Sequence, residues 1–374
     1  MKERLVAPDL ARGFMLLVIA LAHAPLWLSA SEVNLSGRPM GGGVVDEVVN
    51  FLSILFVDSR GLPLFAILLG YGLAMMVNRQ QSAGTSEPES KRLLRRRALY
   101  LLLFGFVNVV VIGGIDILAE YGFYTLLIGW LLFRGDRALK RAIVIVSLFY
   151  LIVLPVAWIG LAHLDVPINA MVNSGSASYV ETAIINLINF PFMILGGLFM
   201  YPMILPVLIG IWVARKGFFE AGRKRLTGIA VAGTSISIVG GLPLALLGTP
   251  LWSASPTTVA VLSVLQMLTG IAGGIGYAAI FGLIGSAITR AGPLVGSMVA
   301  MGRRSLTFYL FIELMLVIVL SPVAFGFGQE LHVAGAAILA VLVWLVSLLV
   351  ASGMERKGVR GPADALLRKL IYRR

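Results

Sequence analysis

The sequence predicts an all-α polytopic membrane protein, a bundle of about ten transmembrane helices with both termini in the cytoplasm. Three observations carry that prediction. The 374 residues are 59% hydrophobic and only 13% charged, with a mean hydropathy of +0.94, far more apolar than a soluble domain. Apolar stretches near the roughly 20 residues needed to cross a bilayer recur along the whole length. Twenty-eight of the 30 Lys and Arg residues, all but Arg38 and Arg60, fall in every second gap between those stretches. The intervening gaps hold Glu32, Asp46, Asp116, Asp165 and Glu330 with almost no positive charge. Positive loops stay on the cytoplasmic side of a membrane, and this rule accounts for the alternation.

The expected spans are 11–30, 52–77, 98–114, 116–133, 142–163, 188–214, 226–247, 258–288, 305–325 and 333–352. The first lacks a small-residue cleavage site and is followed by further spans, so it reads as an anchor rather than a secretory leader. The stretch 44–77 is too long for one straight helix and is interrupted by Gly61 and Pro63. It predicts a short outer amphipathic piece followed by the true span. Pro191, Pro202 and Pro206 in 182–214 predict an outer-surface helix joined to a kinked span. A single integral membrane domain therefore occupies 1–374, with a mobile cytoplasmic loop over 78–97 and a basic cytoplasmic tail over 353–374. No internal repeat supports an inverted-repeat transporter.

Composition also narrows the chemistry. A net charge of +12 is explained by orientation and by anionic headgroups of the membrane lipids, and nucleic acid is not an expected partner. The absence of cysteine leaves no disulfide and no thiolate nucleophile, and three separated histidines argue against a metal site. There is no P-loop and no Gly-x-Ser-x-Gly elbow. The glycine pairs at 41–43 and 273–276 follow no strand, so they serve helix packing rather than a dinucleotide.

Ionisable side chains inside spans are costly and face a partner or a cavity. Asp9, Arg12 and His23 share one face of the first helix, and His23 lies about 16 Å beyond Arg12 at helical rise. An i,i+3 ion pair is the plain reading of Asp9 and Arg12, and an interhelical hydrogen bond that of His23. Glu313 lies about 13–15 Å beyond Arg303 and Arg304 on its helix, at a depth similar to that of His23. His23 and Glu313 would make a base and its orienter. Asn108 and Gln266 are further mid-membrane polar groups and candidate oxyanion donors. Asp116 and Glu120 repel as like charges, which Tyr121, Tyr124, water or a cation would relieve. Asp58 and Arg60 point to different faces. His163 and His332 lie at outer span ends.

Several of these residues stand in familiar arrangements. Arg4-Leu-Val-Ala-Pro-Asp9-Leu-Ala-Arg12-Gly13, Leu64-Phe65-Ala-Ile-Leu-Leu-Gly70-Tyr71-Gly72, the Arg95-Arg96-Arg97 run, and Asp116-Ile117-Leu118-x-x-Tyr121 resemble the YeiB-like family of bacterial membrane proteins. So do Gly302-Arg303-Arg304-Ser305-Leu306-Thr307-x-Tyr309 and the closing Gly361-Pro362-Ala363-Asp364. That family is similar to the heparan-alpha-glucosaminide N-acetyltransferase and, more distantly, to membrane acyltransferases that act on surface glycans. The resemblance implies acyl transfer from a cytoplasmic acyl-CoA, acetyl-CoA above all, to a glycan, lipid or small-molecule acceptor at or beyond a bacterial inner membrane. A homodimer is compatible with it. His23 stands at the His spacing of the glycan acyltransferases, where YeiB-like chains have Asn. Phe308 and Asn108 replace that family's Asn and His.

The catalytic candidates are thus His23, Glu313 and Asp116. The candidates for holding the donor are Asp9, Arg12, Arg95, Arg97, Arg303 and Arg304, although topology alone explains most of that basic rim. A transporter or lipid flippase using the same polar seam, and a non-catalytic scaffold, remain alternatives.

The chain's lack of cysteine makes the topology directly testable. Single cysteines at Ser82 and Ala221 should react with an impermeant thiol reagent only from the cytoplasmic side, and at Ser36 and Gly248 only from outside. Ser36 and Ser82 reacting from the same side would overturn the ten-span reading.

Overall fold

The computed structural model describes residues 5–29, 38–39, 41–164, 178–247, 254–288 and 292–372. Ser36, Gly248, Arg4, Glu32 and Asp165 lie outside them. All regular elements among the described residues are helical: α1 (Val6–His23), α2 (Val44–Phe56), α3 (Gly61–Ser82), α4 (Glu87–Phe106), α5 (Leu118–Ile128), α6 (Asp136–Ala162), α7 (Tyr179–Met200), α8 (Ile204–Arg215), α9 (Arg223–Leu247), α10 (Pro256–Ala287), α11 (Pro293–Gly302), α12 (Ser305–Leu320), α13 (Val333–Arg356) and α14 (Pro362–Tyr372). Seven helical stretches are long and apolar enough to cross a membrane, by length and composition. Of the other expected spans, 98–114 falls on the end of α4 and the π-turn that follows it, and the rest fall on shorter helices. Residues 116–133 form α5 with a 3₁₀ turn, and 305–325 forms α12. The expected 188–214 span is broken at 201–203 into α7 and α8. Pro191 stays inside α7, and Pro202 sits at the break, where it cannot donate to the helical ladder.

Two local expectations change. Residues 78–97 are mostly helix, because α3 runs to Ser82 and α4 starts at Glu87, leaving the turn at 83–86. The start of α4 is well signalled: Ser86 caps the Glu89 amide, Pro88 lies in the first turn, and Lys91 pairs with Glu87 at 2.6 Å. Within 353–374, the last turn of α13 is followed by a separate amphipathic helix, α14, which buries Leu367 and Ile371.

The helices are apolar on the outside. α2 turns Asp46, Asn50 and Ser53 inward while Val44, Val45, Val48, Leu52 and Phe56 are exposed. α6 and α7 expose rows of Val, Ile, Leu and Phe. Apolar surface on this scale is at home in hydrocarbon rather than water. α1 lies at the centre, packed against α3, α10, α11, α12 and α13, with Ala11, Met15, Leu16 and Ala20 fully enclosed.

Close packing relies on glycine. A Cβ on Gly70 of α3 would collide with the Val207 carbonyl of α8, and one on Gly210 of α8 with the Ile67 carbonyl of α3. The two backbones meet with no side chain between them.

The expected break between α2 and α3 is present at 57–60, with Ser59 at φ 57°, a left-handed conformation that non-glycine residues rarely adopt. Arg60 repairs the interruption from a position only 1% exposed. Its Nη1 donates to the carbonyls of Ile54 (2.6 Å) and Asp58 (2.8 Å), its Nε to Ser237 Oγ (2.7 Å), and its Nη2 to the Ser237 carbonyl (2.5 Å). The carboxylate of Asp58 pairs instead with Arg38 at 2.7 Å. Both Arg exceptions to the charge alternation are therefore held by specific partners. Gln266, expected as a free mid-membrane donor, gives its amide hydrogen to the Ile54 carbonyl at 2.8 Å.

The glycine contact predicts that Gly70→Ala and Gly210→Ala each destabilise the protein by about 1–3 kcal/mol, the usual cost of overpacking. Thermal unfolding in detergent checks this, with Gly72→Ala as the milder comparison, because a Cβ there meets only the Arg12 guanidinium at 3.0 Å.

Candidate functional site

The deepest polar cluster forms around an interruption between α4 and α5. α4 ends in a π-turn at Val107–Ile112, and Gly113, at φ 82°, reverses the chain. The following residues, 114–117, run through the interior, so their backbone groups need partners there. Side chains from α4 and α12 supply them. The Ile115 amide donates to Glu313 Oε2 at 3.1 Å. The Ile115 carbonyl accepts from Tyr309 OH at 2.7 Å and from Asn108 Nδ2 at 2.9 Å. The Ile117 amide donates to the Tyr309 oxygen at 3.1 Å. Tyr309 and Glu313 are one turn apart on α12, so a single helix face grips this segment.

Glu313 is fully buried. Its second oxygen, Oε1, lies 2.6 Å from Nδ1 of His23 at the end of α1. The two side chains that shared a similar depth in the sequence are thus in contact across helices. Nδ1–H donating to the carboxylate leaves the lone pair on Nε2, so Nε2 is the nitrogen available for chemistry. Glu313 is itself fixed by the Ile115 amide, which orients the imidazole through a chain of two hydrogen bonds.

Asp116 is close to this pair but serves the backbone. Its Oδ2 accepts from the Ala119 amide at 2.6 Å, as a cap on the first turn of α5. Its Oδ1 accepts from Asn108 Nδ2 at 3.2 Å. Asn108 therefore uses its amide hydrogens on Ile115 and Asp116, and only its enclosed Oδ1 lacks a partner; the expected oxyanion-donor role does not fit. One turn further, Tyr124 OH donates to Glu120 Oε2 at 3.3 Å, the relief expected of a tyrosine. In the sequence Tyr309 and Asp116-Ile117 figure only as parts of family motifs, with nothing to show that Tyr309 holds the 114–117 backbone. A tyrosine four residues before a buried Glu, opposite a Gly-Gly reversal, was the available signal.

The basic candidates and their partner Asp9 separate into two kinds. Asp9 and Arg12 form the expected pair at 3.2 Å, and Arg12 also donates to the Leu68 carbonyl at 3.1 Å. Arg303 reaches Asp9 at 3.6 Å and Glu355 at 2.9 Å. Arg304, buried at 7% exposure, donates to Glu355 at 2.6 Å and to the carbonyls of Ala300 and Val359. These Arg residues knit α1, α11 and α13 together. Arg95 is exposed. Arg97 is different: its Nε is enclosed and has no hydrogen-bond partner.

The two C-terminal motifs meet. Thr307 donates to Asp364 Oδ2 from its amide (3.0 Å) and hydroxyl (2.7 Å), and its hydroxyl accepts from the Ala363 amide at 3.1 Å. Burial pushes the Asp364 carboxyl above its ordinary pKa, and the Thr307 bonds work against that shift. Of the outer histidines, His163 is exposed beside Thr257, and His332 precedes α13 as its N-cap.

The structure thus defines a helical, membrane-type protein with a buried His–Glu pair. A family model described as "Protein of unknown function (DUF418)" matches residues 213–374, less than half of the chain. The matched part contains Glu313, Tyr309 and both C-terminal motifs, while His23 and Asp116 lie outside it. The uncharacterized protein YxaH of Bacillus subtilis (strain 168) is 30% identical over 167 residues, which cover 41% of this chain and 38% of that protein. An uncharacterized 39.9 kDa protein in amylase 3'region of Bacillus acidopullulyticus is 31% identical over 106 residues, 28% of each chain. The similarity therefore spans well under half the length of either relative. No solved structure matches.

The different settings of the two neighbouring arginines predict unequal effects. Arg304→Ala leaves Glu355 and buried carbonyls unpaired and should lower stability by about 2–4 kcal/mol. Arg303→Ala, at a half-exposed site, should cost less than about 1 kcal/mol. Thermal melts of both variants test the order, and equal losses would refute it.

Proposed function

We propose that this protein is an acyl-CoA-dependent membrane acyltransferase of the bacterial cell membrane. It takes the acyl group, acetyl above all, from a donor on the cytoplasmic side and passes it to a glycan, lipid or small-molecule acceptor. The orientation follows the basic gaps, with ten crossings and cytoplasmic termini. The observation that carries the proposal is the buried His23–Glu313 pair, whose carboxylate is fixed from behind by the Ile115 amide.

Acyl transfer asks little more of a protein than this. His23 Nε2 accepts the proton of an acceptor hydroxyl or amine as the acceptor attacks the thioester carbonyl. The carbon–sulfur bond breaks, the thiolate leaves, and the imidazolium returns the proton to sulfur. Glu313 holds the tautomer and stabilises the positive charge that His23 carries between those steps. Removal from water strengthens that electrostatic support. Asp116 takes no proton in this scheme, since its oxygens hold Asn108 and the start of α5. The YeiB-like motifs and the similarity they imply to the glucosaminide N-acetyltransferase support the same reading.

The test is transfer of labelled acetyl from acetyl-CoA to membrane acceptors by purified protein in lipid vesicles. His23→Ala should preserve folding and donor binding while lowering transfer by about 10²–10⁴-fold, the usual contribution of a general base. Glu313→Gln should lower it too, because an amide orients the ring without stabilising the imidazolium. Full activity in His23→Asn would make His23 a structural hydrogen-bonder. Lost substrate binding with unchanged turnover would instead favour a transporter that uses the same seam.

A further inference from the structure

The cytoplasmic halves of α3 and α4 hold an unusual concentration of unanswered polar groups. Of the buried side-chain atoms without a hydrogen-bond partner among the described residues, Gln80 contributes both amide atoms, Ser90 its hydroxyl and Arg97 its Nε. Gln80 is 8% exposed and Ser90 0%. Buried polar groups are ordinarily paired, so four such atoms on one helical hairpin call for an explanation.

Two of these groups share a helix face. Ser90 and Arg97 are seven residues apart, two turns of α4, and so lie on one face with Leu94 and Ala98, which are also buried. Gln80 ends the buried face of α3 next to the 83–86 turn, on the opposite side of that turn from Ser90. At the inner end of the seam, Arg12 of α1 lies over Gly72 and donates to the Leu68 carbonyl, and Arg12 and Arg97 feel each other's charge. The acidic group facing Arg97 from α14 is Asp364, accompanied by Tyr372, and Asp364 is already bonded to Thr307. No ion pair reaches Arg97 among the described residues. Two guanidinium groups that repel each other, one of them with an enclosed, unbonded Nε and no ion pair among the described residues, form an unfavourable arrangement that a bound anion would relieve.

We infer that Arg97 and Arg12 seat the phosphate of an organic phosphate ligand, with Gln80 and Ser90 taking a neutral polar part of the same molecule. Guanidinium groups suit phosphate oxygens because they donate in pairs. The Ser90–Arg97 separation is about 10 Å at helical rise, too long for one inorganic phosphate to bridge. The inference deepens the acyl-CoA reading and rests on it only for the ligand's identity, since a phosphate at this seat belongs to the donor's nucleotide end.

Calorimetric titration of the full-length protein in phosphatidylcholine nanodiscs tests it, with coenzyme A, ADP and inorganic phosphate as separate probes. Coenzyme A should bind, and Arg97→Gln should weaken it by at least 10-fold. Gln80→Leu should weaken it about 3- to 10-fold, and Arg92→Gln, at an exposed position of α4, should leave it unchanged. The ligand-free Arg97→Gln protein should melt no lower than the wild type, because it loses an unpaired buried charge; this separates loss of a ligand contact from loss of fold. Wild-type affinity for all three probes in Arg97→Gln would overturn the seat. So would Arg97 dependence seen only for anionic phosphatidylglycerol in the disc, since that places a bilayer headgroup there. ADP binding through Arg97 without any binding of coenzyme A would keep the seat and remove the acyl-CoA reading.

Discussion

A helix interrupted inside an apolar bundle exposes backbone amides and carbonyls that no solvent can satisfy, and this constraint organises the molecule. Two interruptions matter most. Between α2 and α3, a single arginine and a glutamine take up the loose carbonyls. Between α4 and α5, Asn108, Tyr309, Glu313 and Asp116 take up both kinds of group. The first repair is closed: Arg60 is enclosed and every partner is protein. The second ends on an imidazole with one nitrogen still free for chemistry. The same structural need thus produces a closed lock at one site and a buried His–Glu pair at the other.

Much of this was legible in the sequence because the controlling physics is one-dimensional. Charge alternation and apolar length set which segments are helical spans, and Gly61 and Pro63 correctly marked the α2–α3 break. The similar depth of His23 and Glu313 could be computed from helical rise alone, whereas their contact depends on which helices pack together and is seen only in the structure. What failed was interior length. α5, at 11 residues, and α12, at 16 residues, are shorter than the expected spans 116–133 and 305–325. The stretch 78–97 looked loop-like from its polar composition, yet a Ser cap, an early Pro and a Glu–Lys pair suffice for a helix there. Asn108 and Gln266 were placed at the right depth, but sequence gives no direction for an amide, and both turned toward broken backbone.

The basic residues show the same division between rule and exception. Topology explains why they gather where they do, yet it does not say which have partners. Arg303 and Arg304 hold helices together, Arg12 bridges α1 and α3, Arg95 is exposed, and Arg97 has an enclosed nitrogen with nothing to bond. A charge run read as a single feature therefore contains members with protein partners, an exposed member and one with an enclosed, unbonded nitrogen, and burial with hydrogen bonding is what tells them apart. The C-terminal motifs make a similar point: Thr307 and Asp364, far apart in sequence, are two halves of one contact.

The glycine contact between α3 and α8 has a mechanical consequence. Helices that meet through side chains can slide, because rotamers rearrange as the surfaces shear. Where Gly70 and Gly210 bring backbone against backbone, no rotamer is present to absorb a shift, and the two helices travel as one body. Under the proposed function, admission of an acceptor to His23 does not come from parting α3 and α8 and falls to seams closed by side chains. One such seam lies beside α7, which exposes Val, Ile, Leu and Phe and is tied to the π-turn by Tyr179 donating to the Val111 carbonyl and Asn186 donating to the Val109 carbonyl.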